Sequence, residues 1–379
     1  MFTEMRFKII VPIFIFIFSL SVSAQKAGRA CFGNATRDTA KRSAKVWMPV
    51  AGYDPVLGYD PAEGPRRGAP PVNDAGFATP VVCVANPDPS PGKGTTPKFY
   101  CSVEGVTDDD GDLIRYKVKP HFKGQSREKR NGEVYGEFLS SRFSKALGFF
   151  ADDEWVADVT CRDCEASLTG KFQGTRFVPF QPAAGIELPL GMGIDVDCND
   201  KDAEGLAQAF EDLLDGGADL AEIDAFKLWL AFIDHGDTKT DNQKFACLKT
   251  VKNADGSLGC APGKAVYYVS DMGSTFGFSS ASENKARLER WRTKDPIKIG
   301  RNRQCTANAK GVGDREISED GRALLARGLK RLVDAEKADG TITKVFRASR
   351  NSERDQPAEE WTDEFLRKAA TIMNAKCSN

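Results

Sequence analysis

Two short stretches hold the residue types that could move a phosphoryl group. The first is His235-Gly236-Asp237-Thr238-Lys239-Thr240-Asp241-Asn242, and the second is Ser270-Asp271-Met272-Gly273. Phosphoryl transfer asks a protein mainly for positioning and charge neutralisation. Asp237 is placed to accept or orient the proton of an attacking hydroxyl. Lys239, two residues on, would neutralise charge on the transferred group. Asn242 and Asp271 supply hard oxygen ligands, which suit Mg2+. Alone, Asp237 or Asn242 would read as an Asx-type helix exit; the four together point to chemistry. The chain has only two histidines, His121 and His235. A His-rich metal site is excluded, and His235 reads as a packing and hydrogen-bonding residue.

Such chemistry also needs a fixed cation for the phosphates of the donor. Lys119 ends the stretch Tyr116-Lys117-Val118-Lys119, and Glu137 lies in Gly136-Glu137-Phe138-Leu139-Ser140-Ser141-Arg142. Their order and spacing suit a phosphate-binding lysine with an ion-pair partner on the following helix. Lys117 points to the same face as Lys119 and stays an alternative, as Glu133 does to Glu137. Other motifs fail on inspection. Gly92-Lys93-Gly94-Thr95 lacks the spacing of a phosphate loop and sits among prolines. Asp195 to Asn199 begins like a calcium loop, but Asp200 and Leu206 stand where glycine and glutamate are needed.

The elements that must position these residues can be read from periodicity. Phe99, Cys101 and Val103 alternate with polar residues. A turn follows at Asp108 to Asp112, and then Ile114, Tyr116 and Val118 alternate with Lys117 and Lys119, which predicts a hairpin. Val134, Phe138, Leu139, Phe143, Ala146 and Leu147 recur at helical steps, which predicts a helix over 132–149. A short helix is expected over 202–214 and a buried, nearly all-apolar one over 220–233. Helices are also expected near 317–336, 340–349 and 358–376. The apolar run Ala265 to Val269 reads as a strand ending at Asp271. The stretch 25–97, rich in Pro, Gly, Asp and Arg, reads as an irregular arm tethered through cysteine.

Of 379 residues, 53 are Lys or Arg and 54 are Asp or Glu. That balance argues against a nucleic-acid partner, which would call for a basic chain. Arg6 and Lys8 precede an apolar run from Ile9 to Leu20, with Val22 and Ala24 suiting a signal-peptidase site. A signal peptide over 1–24, cut after Ala24, predicts a secreted or periplasmic protein with no later transmembrane span. All ten cysteines lie beyond that cut, so disulfides are expected. Cys161-Arg162-Asp163-Cys164 reads as a structural pair rather than a zinc or redox site.

Residues 98–375 resemble the protein-kinase-like superfamily, in an atypical branch. They are especially similar to uncharacterised exported bacterial kinase-like proteins. The resemblance rests on Gly136-Glu137 with Ser141-Arg142, on the H-x-D-x-K-x-x-N loop from His235 to Asn242, and on Asp271-Met-Gly-Ser-Thr-Phe276-Gly277. It implies a disulfide-stabilised α+β fold of two lobes, with a small β-rich N-lobe over 98–190 and a helix-rich C-lobe over 191–379. It also implies ATP with Mg2+ or Mn2+ in the cleft, held by Lys119, Glu137, Asn242 and Asp271. The acceptor hydroxyl could belong to a protein, lipid, sugar or small molecule. Two alternatives use the same fold: a catalytically silent binding module of the cell envelope, and a nucleotidyl transferase. Three departures stand out. No G-x-G-x-x-G loop precedes the lysine, and no A-P-E motif follows Asp271. Twenty-eight residues separate Asn242 from Asp271, against about a dozen in ordinary protein kinases. Cys247 and Cys260 flank a turn in this insert, which predicts a disulfide-stapled hairpin.

Overall fold

A computed structural model describes residues 34–85, 99–107, 111, 113–119, 132–162, 184–188, 192–195, 206–239, 242–254, 258–277, 287–350 and 356–378. The architecture is mixed α+β. The first part of the chain builds one six-stranded sheet and two helices. In chain order these are α1 (Asn34–Ser43), β1 (Val81–Ala85), β2 (Phe99–Thr107), β3 (Leu113–Lys119), α2 (Glu133–Leu147), β4 (Asp153–Ala157), β5 (Val159–Arg162) and β6 (Ala184–Leu188). The sheet order is β4-β6-β3-β2-β1-β5, antiparallel except for the parallel pair β1 and β5. One face of the sheet buries Phe99, Cys101, Tyr116, Val118 and Trp155 in a small core.

The remaining chain is richer in helix. β7 (Met192–Asp195), α3 (Leu206–Asp215) and α4 (Leu220–Phe232) come first. They are followed by β8 (Gln243–Cys247), β9 (Thr250–Lys252), β10 (Leu258–Cys260) and β11 (Ala265–Val269). β11, β8 and β7 form a three-stranded sheet, and β9 and β10 form the inserted hairpin. Then come α5 (Arg287–Arg292), a second three-stranded sheet of β12 (Ile297–Ile299), β13 (Cys305–Ala307) and β14 (Glu316–Ile317), and the helices α6 (Glu319–Asp339), α7 (Thr341–Ala348) and α8 (Ala358–Asn374). α4 is apolar on nearly every side, and it lies buried from Ile223 to Phe232. Its buried Asp224 accepts hydrogen bonds from the backbone N–H and hydroxyl of Ser318, which caps α6. The two helices are thereby fixed to each other through a helix cap.

Two regular elements stand within the stretch expected to be irregular. β1 joins the six-stranded sheet and is stapled to β2 by the Cys83–Cys101 disulfide. α1 is polar in composition, yet its Ala40, and Ala44 just beyond its end, are buried in the large core. Beyond α1, Lys45 bridges Val266 of β11, and Trp47 Nε1 donates to the Leu147 carbonyl at the end of α2. This stretch is part of the body of the protein.

The Cys247–Cys260 disulfide closes the inserted hairpin as expected, and Cys305 pairs with Cys377. Among the described residues no helix is long and apolar enough to cross a membrane. Both features are compatible with an extracellular or periplasmic location. The signal segment and Cys164 lie outside the described residues, so the expected Cys161–Cys164 pair is not described. Peptide mapping of unreduced protein should recover the three cross-links Cys83–Cys101, Cys247–Cys260 and Cys305–Cys377. Free thiols at any of these positions would contradict the pairing.

Candidate active site

The site begins with strand alternation on β3. Tyr116 and Val118 point into the small core, which sends Lys117 and Lys119 to the opposite face, toward α2. Lys119 is buried there, and its ammonium donates to Glu137 Oε1. Glu133 Oε2, one helical turn earlier, lies 3.5 Å from the same nitrogen, and Asp271 Oδ1 also lies at 3.5 Å. Of the two lysines on that face, Lys119 lies within 3.5 Å of all three carboxylates. Lys117 acts on Asp271 through its field. Burial opposes ionisation of Asp271, but Lys119 first, then Lys117 and a hydrogen bond with Glu137, hold its carboxyl well below the usual range.

The second half of the site hangs from the end of α4. The helix exits through Asp234, which is left-handed at φ 53°, and the loop runs antiparallel to the stretch after Asp271. Phe276 N donates to the Ile233 carbonyl at 2.6 Å and Gly236 N to the Ser274 carbonyl at 3.1 Å. His235 is buried between these segments, and burial pushes its imidazole below the usual value despite the nearby carboxylates of Asp237 and Asp271. Lys239 Nζ lies 2.6 Å from Asp237 Oδ2, partly open to solvent. Asn242 Nδ2 donates to the Asp237 carbonyl at 3.0 Å, which leaves its amide oxygen as the free end. Asn242 and Asp271 are brought together by the ladder. Gln243 on β8 pairs with Val269 on β11, and Ser270 N donates to the Asn242 carbonyl at 2.9 Å. The long insert leaves from the far ends of these two strands, so its length does not separate the two residues.

A third contact, not anticipated from sequence, locks α2 onto the segment after Asp271. A methyl group at Gly136 would overlap the Gly273 carbonyl oxygen, and one at Gly273 would overlap Glu133. Thr275 donates to the Met272 carbonyl at 2.7 Å, and its Oγ1 lies 2.8 Å from Ser140 Oγ on α2. The glycine of Gly136-Glu137 is thus what lets α2 lie close against the segment that follows Asp271. Gly136→Ala should cost about 1–3 kcal/mol by overpacking. Urea unfolding would read that loss, while an unchanged midpoint would contradict the tight approach. Arg142, at the end of the same motif, is buried against Phe138 and Trp155, and its guanidinium occupies the space beside Gly58. It joins α2 to the segment following α1. The signal for these contacts was the spacing Gly136, Ser140, Arg142 on one helix, though nothing in it named the partners.

The six residues singled out from the sequence therefore fall into two groups on adjoining elements. Lys119, Glu137 and Asp271 meet directly. Asp237, Lys239 and Asn242 share one loop, joined to Asp271 through Asn242 and Ser270. Glu133, Glu137 and Asp271 all surround the Lys119 ammonium. Among the described residues no group of three His, Cys, Asp or Glu could hold a metal by itself. The donor set suits a hard cation that takes one carboxylate, one amide oxygen and phosphate or water oxygens, as Mg2+ does.

No family model matches the chain, and no curated protein does. Among solved structures, the Helicobacter pylori proinflammatory kinase CtkA is similar to this chain at 11% sequence identity, with 77% of this chain and 94% of that chain covered and a TM-score of 0.39. A likeness of that degree carries no argument about this chain. The functional reading rests on the side chains.

Proposed function

We propose that the protein is an atypical kinase-like phosphotransferase that uses Mg-ATP to modify a hydroxyl acceptor. What carries the reading is the buried Lys119 ammonium, which contacts Glu137 while lying 3.5 Å from Asp271. A lysine paired in this way keeps its charge and a fixed direction, as a phosphate-binding cation must. Lys119 would hold the phosphates of the nucleotide, with Glu137 orienting it. Asp271 and the amide oxygen of Asn242 would hold Mg2+, which when bound supplies charge neutralisation at the phosphates. Asp237 would orient the acceptor hydroxyl and take its proton, and Lys239 would counter charge on the transferred group. The six-stranded sheet with α2 and the helix-rich remainder would form the two lobes flanking this site. The three disulfides support work outside the cytoplasm, after removal of the segment ending at Ala24.

The test is turnover by oxidised full-length protein with Mg2+ or Mn2+, using ATP labelled at either the α- or the γ-phosphate. Transfer of γ-label to a hydroxyl is expected. Transfer of α-label would make the protein a nucleotidyl transferase. Nucleotide binding without transfer would make it a silent module, and absence of binding in either metal would overturn the assignment.

A further inference from the structure

We infer that the sheet β12-β13-β14 is a docking platform for the acceptor, and that the acceptor is an acidic, extended segment of a polypeptide. The acceptor role rests on the phosphotransferase reading; the binding itself does not. The sheet and its loops carry five exposed cations, Lys298, Arg301, Arg303, Lys310 and Arg315. Among the described residues none of these side chains makes an ion pair or hydrogen bond. Some surface cations elsewhere are engaged, Lys330 by Asp334, Arg347 by Glu359, and Arg367 by Asp295 and Glu364; others, such as Lys249, Lys252 and Lys264 on the inserted hairpin, have no such partner among the described residues but lie away from the loop of Asp237. Only two acids stand among the five cations of the sheet, Asp314, which accepts from Glu316 N, and Glu316, which accepts from Gln304, so the cations outnumber the acids there. With a formal charge of −1 on the whole chain, the excess is local.

The platform lies beside the loop that carries Asp237. Gly311, at φ 69°, packs so closely on Thr238 that a methyl group there would overlap its hydroxyl, and Thr238 stands between Asp237 and Lys239. Lys310 is the chain neighbour of this contact. From that loop β13 leads back to the turn at 300–304, which projects Arg301 and Arg303. Asn302 and Arg303 are both left-handed there, at φ 60° and 61°. The bond from Gly300 N to the Gln304 carbonyl (2.8 Å) and the Cys305–Cys377 disulfide hold the turn at its base. The cations thus lie on the strands and turns that run from this contact to the 300–304 turn.

The edge of the sheet favours a polypeptide over other polyanions. β12 is an edge strand, and its outer side has no backbone partner among the described residues. Ile299, 53% exposed, stands between Lys298 and Arg301. An extended peptide can pair with such an edge and cover the apolar side chain while its acids meet the cations. A lipid headgroup or duplex DNA would use the charge and leave Ile299 and the edge bare.

The test uses oxidised full-length protein and fluorescein-labelled serine peptides with acidic (Asp, Glu, Ile), neutral or basic flanks, read by anisotropy and by γ-label transfer. Lys298→Glu/Arg301→Glu/Arg303→Glu should lower acidic-peptide binding and labelling by about tenfold or more, with Mg-ATP binding unchanged. The matched control Lys249→Glu/Lys252→Glu/Lys264→Glu, on the inserted hairpin, should retain both. Equal loss in the control, no preference for the acidic peptide, or equally good competition by anionic vesicles or duplex DNA would overturn the platform. Tight binding of the acidic peptide without faster labelling than the neutral one would overturn its role as acceptor. Wild type that binds no nucleotide would refute the phosphotransferase reading instead, and anisotropy would still decide the platform.

Discussion

Asp237→Asn is expected to leave Mg-ATP affinity close to wild type while lowering turnover about 10²–10⁴-fold. The substitution is nearly isosteric, and Asp237 contributes its backbone carbonyl, not its carboxylate, to the hydrogen bond from Asn242. The local frame should therefore survive. What is lost is a carboxylate able to orient and accept the acceptor proton. Asp271→Ala provides the contrast, because that carboxylate faces Lys119 and would hold the metal. It should impair nucleotide binding and transfer together. Titrating nucleotide binding beside single-turnover transfer in both variants measures the split. Transfer by Asp237→Asn at the wild-type rate would remove Asp237 from its role.

Lys119→Met should abolish nucleotide binding and destabilise the fold by about 3–5 kcal/mol at neutral pH, the range for breaking a buried ion pair. Without the ammonium, Glu137 and Asp271 lose the cation they share, and only the fields of Lys117 and Lys239 still act on Asp271. The pH dependence has a definite sign. In wild type the carboxyl of Asp271 is depressed, so its contribution is complete above the ordinary carboxylate range and is lost only as pH falls far below it. In the variant, like-charge repulsion raises carboxyl pKa values above those of the unfolded chain, about 4. Its stability should then improve as pH falls from 7 toward 5, narrowing the deficit. Urea unfolding of both proteins at the two pH values would test this. A deficit independent of pH would mean that the carboxylates are not the source.

Much of this arrangement was legible in the residues. Helical spacing placed α2, α4, α6, α7 and α8, because each buries a stripe or a whole surface of apolar side chains. Alternation placed the hairpin of β2 and β3 and put Lys117 and Lys119 on one face. It could not choose between them, since the choice depends on how far α2 lies along the strand. The pairing of β1 with β5 was illegible because parallel partners distant in sequence leave no local turn signal. α1 was missed because it is a polar helix whose buried Ala40 gives little periodic contrast. The close approach of Gly136 to Gly273 was hidden for a related reason: a glycine records where something must come near, without naming what comes.

The bridge from Lys45 to Val266, with Trp47 bonded to the end of α2, also bears on how the molecule is assembled. β11 is made long after the segment it must receive. During synthesis, Lys45 has no strand to join until Val266 has emerged, so the native state cannot build up from the N-terminus as each element appears. Closing so long a loop is slow, because its entropic cost precedes the contacts that reward it. The chain should therefore stay incompletely folded until most of it has been released, the condition in which a polypeptide can still be threaded through a narrow pore.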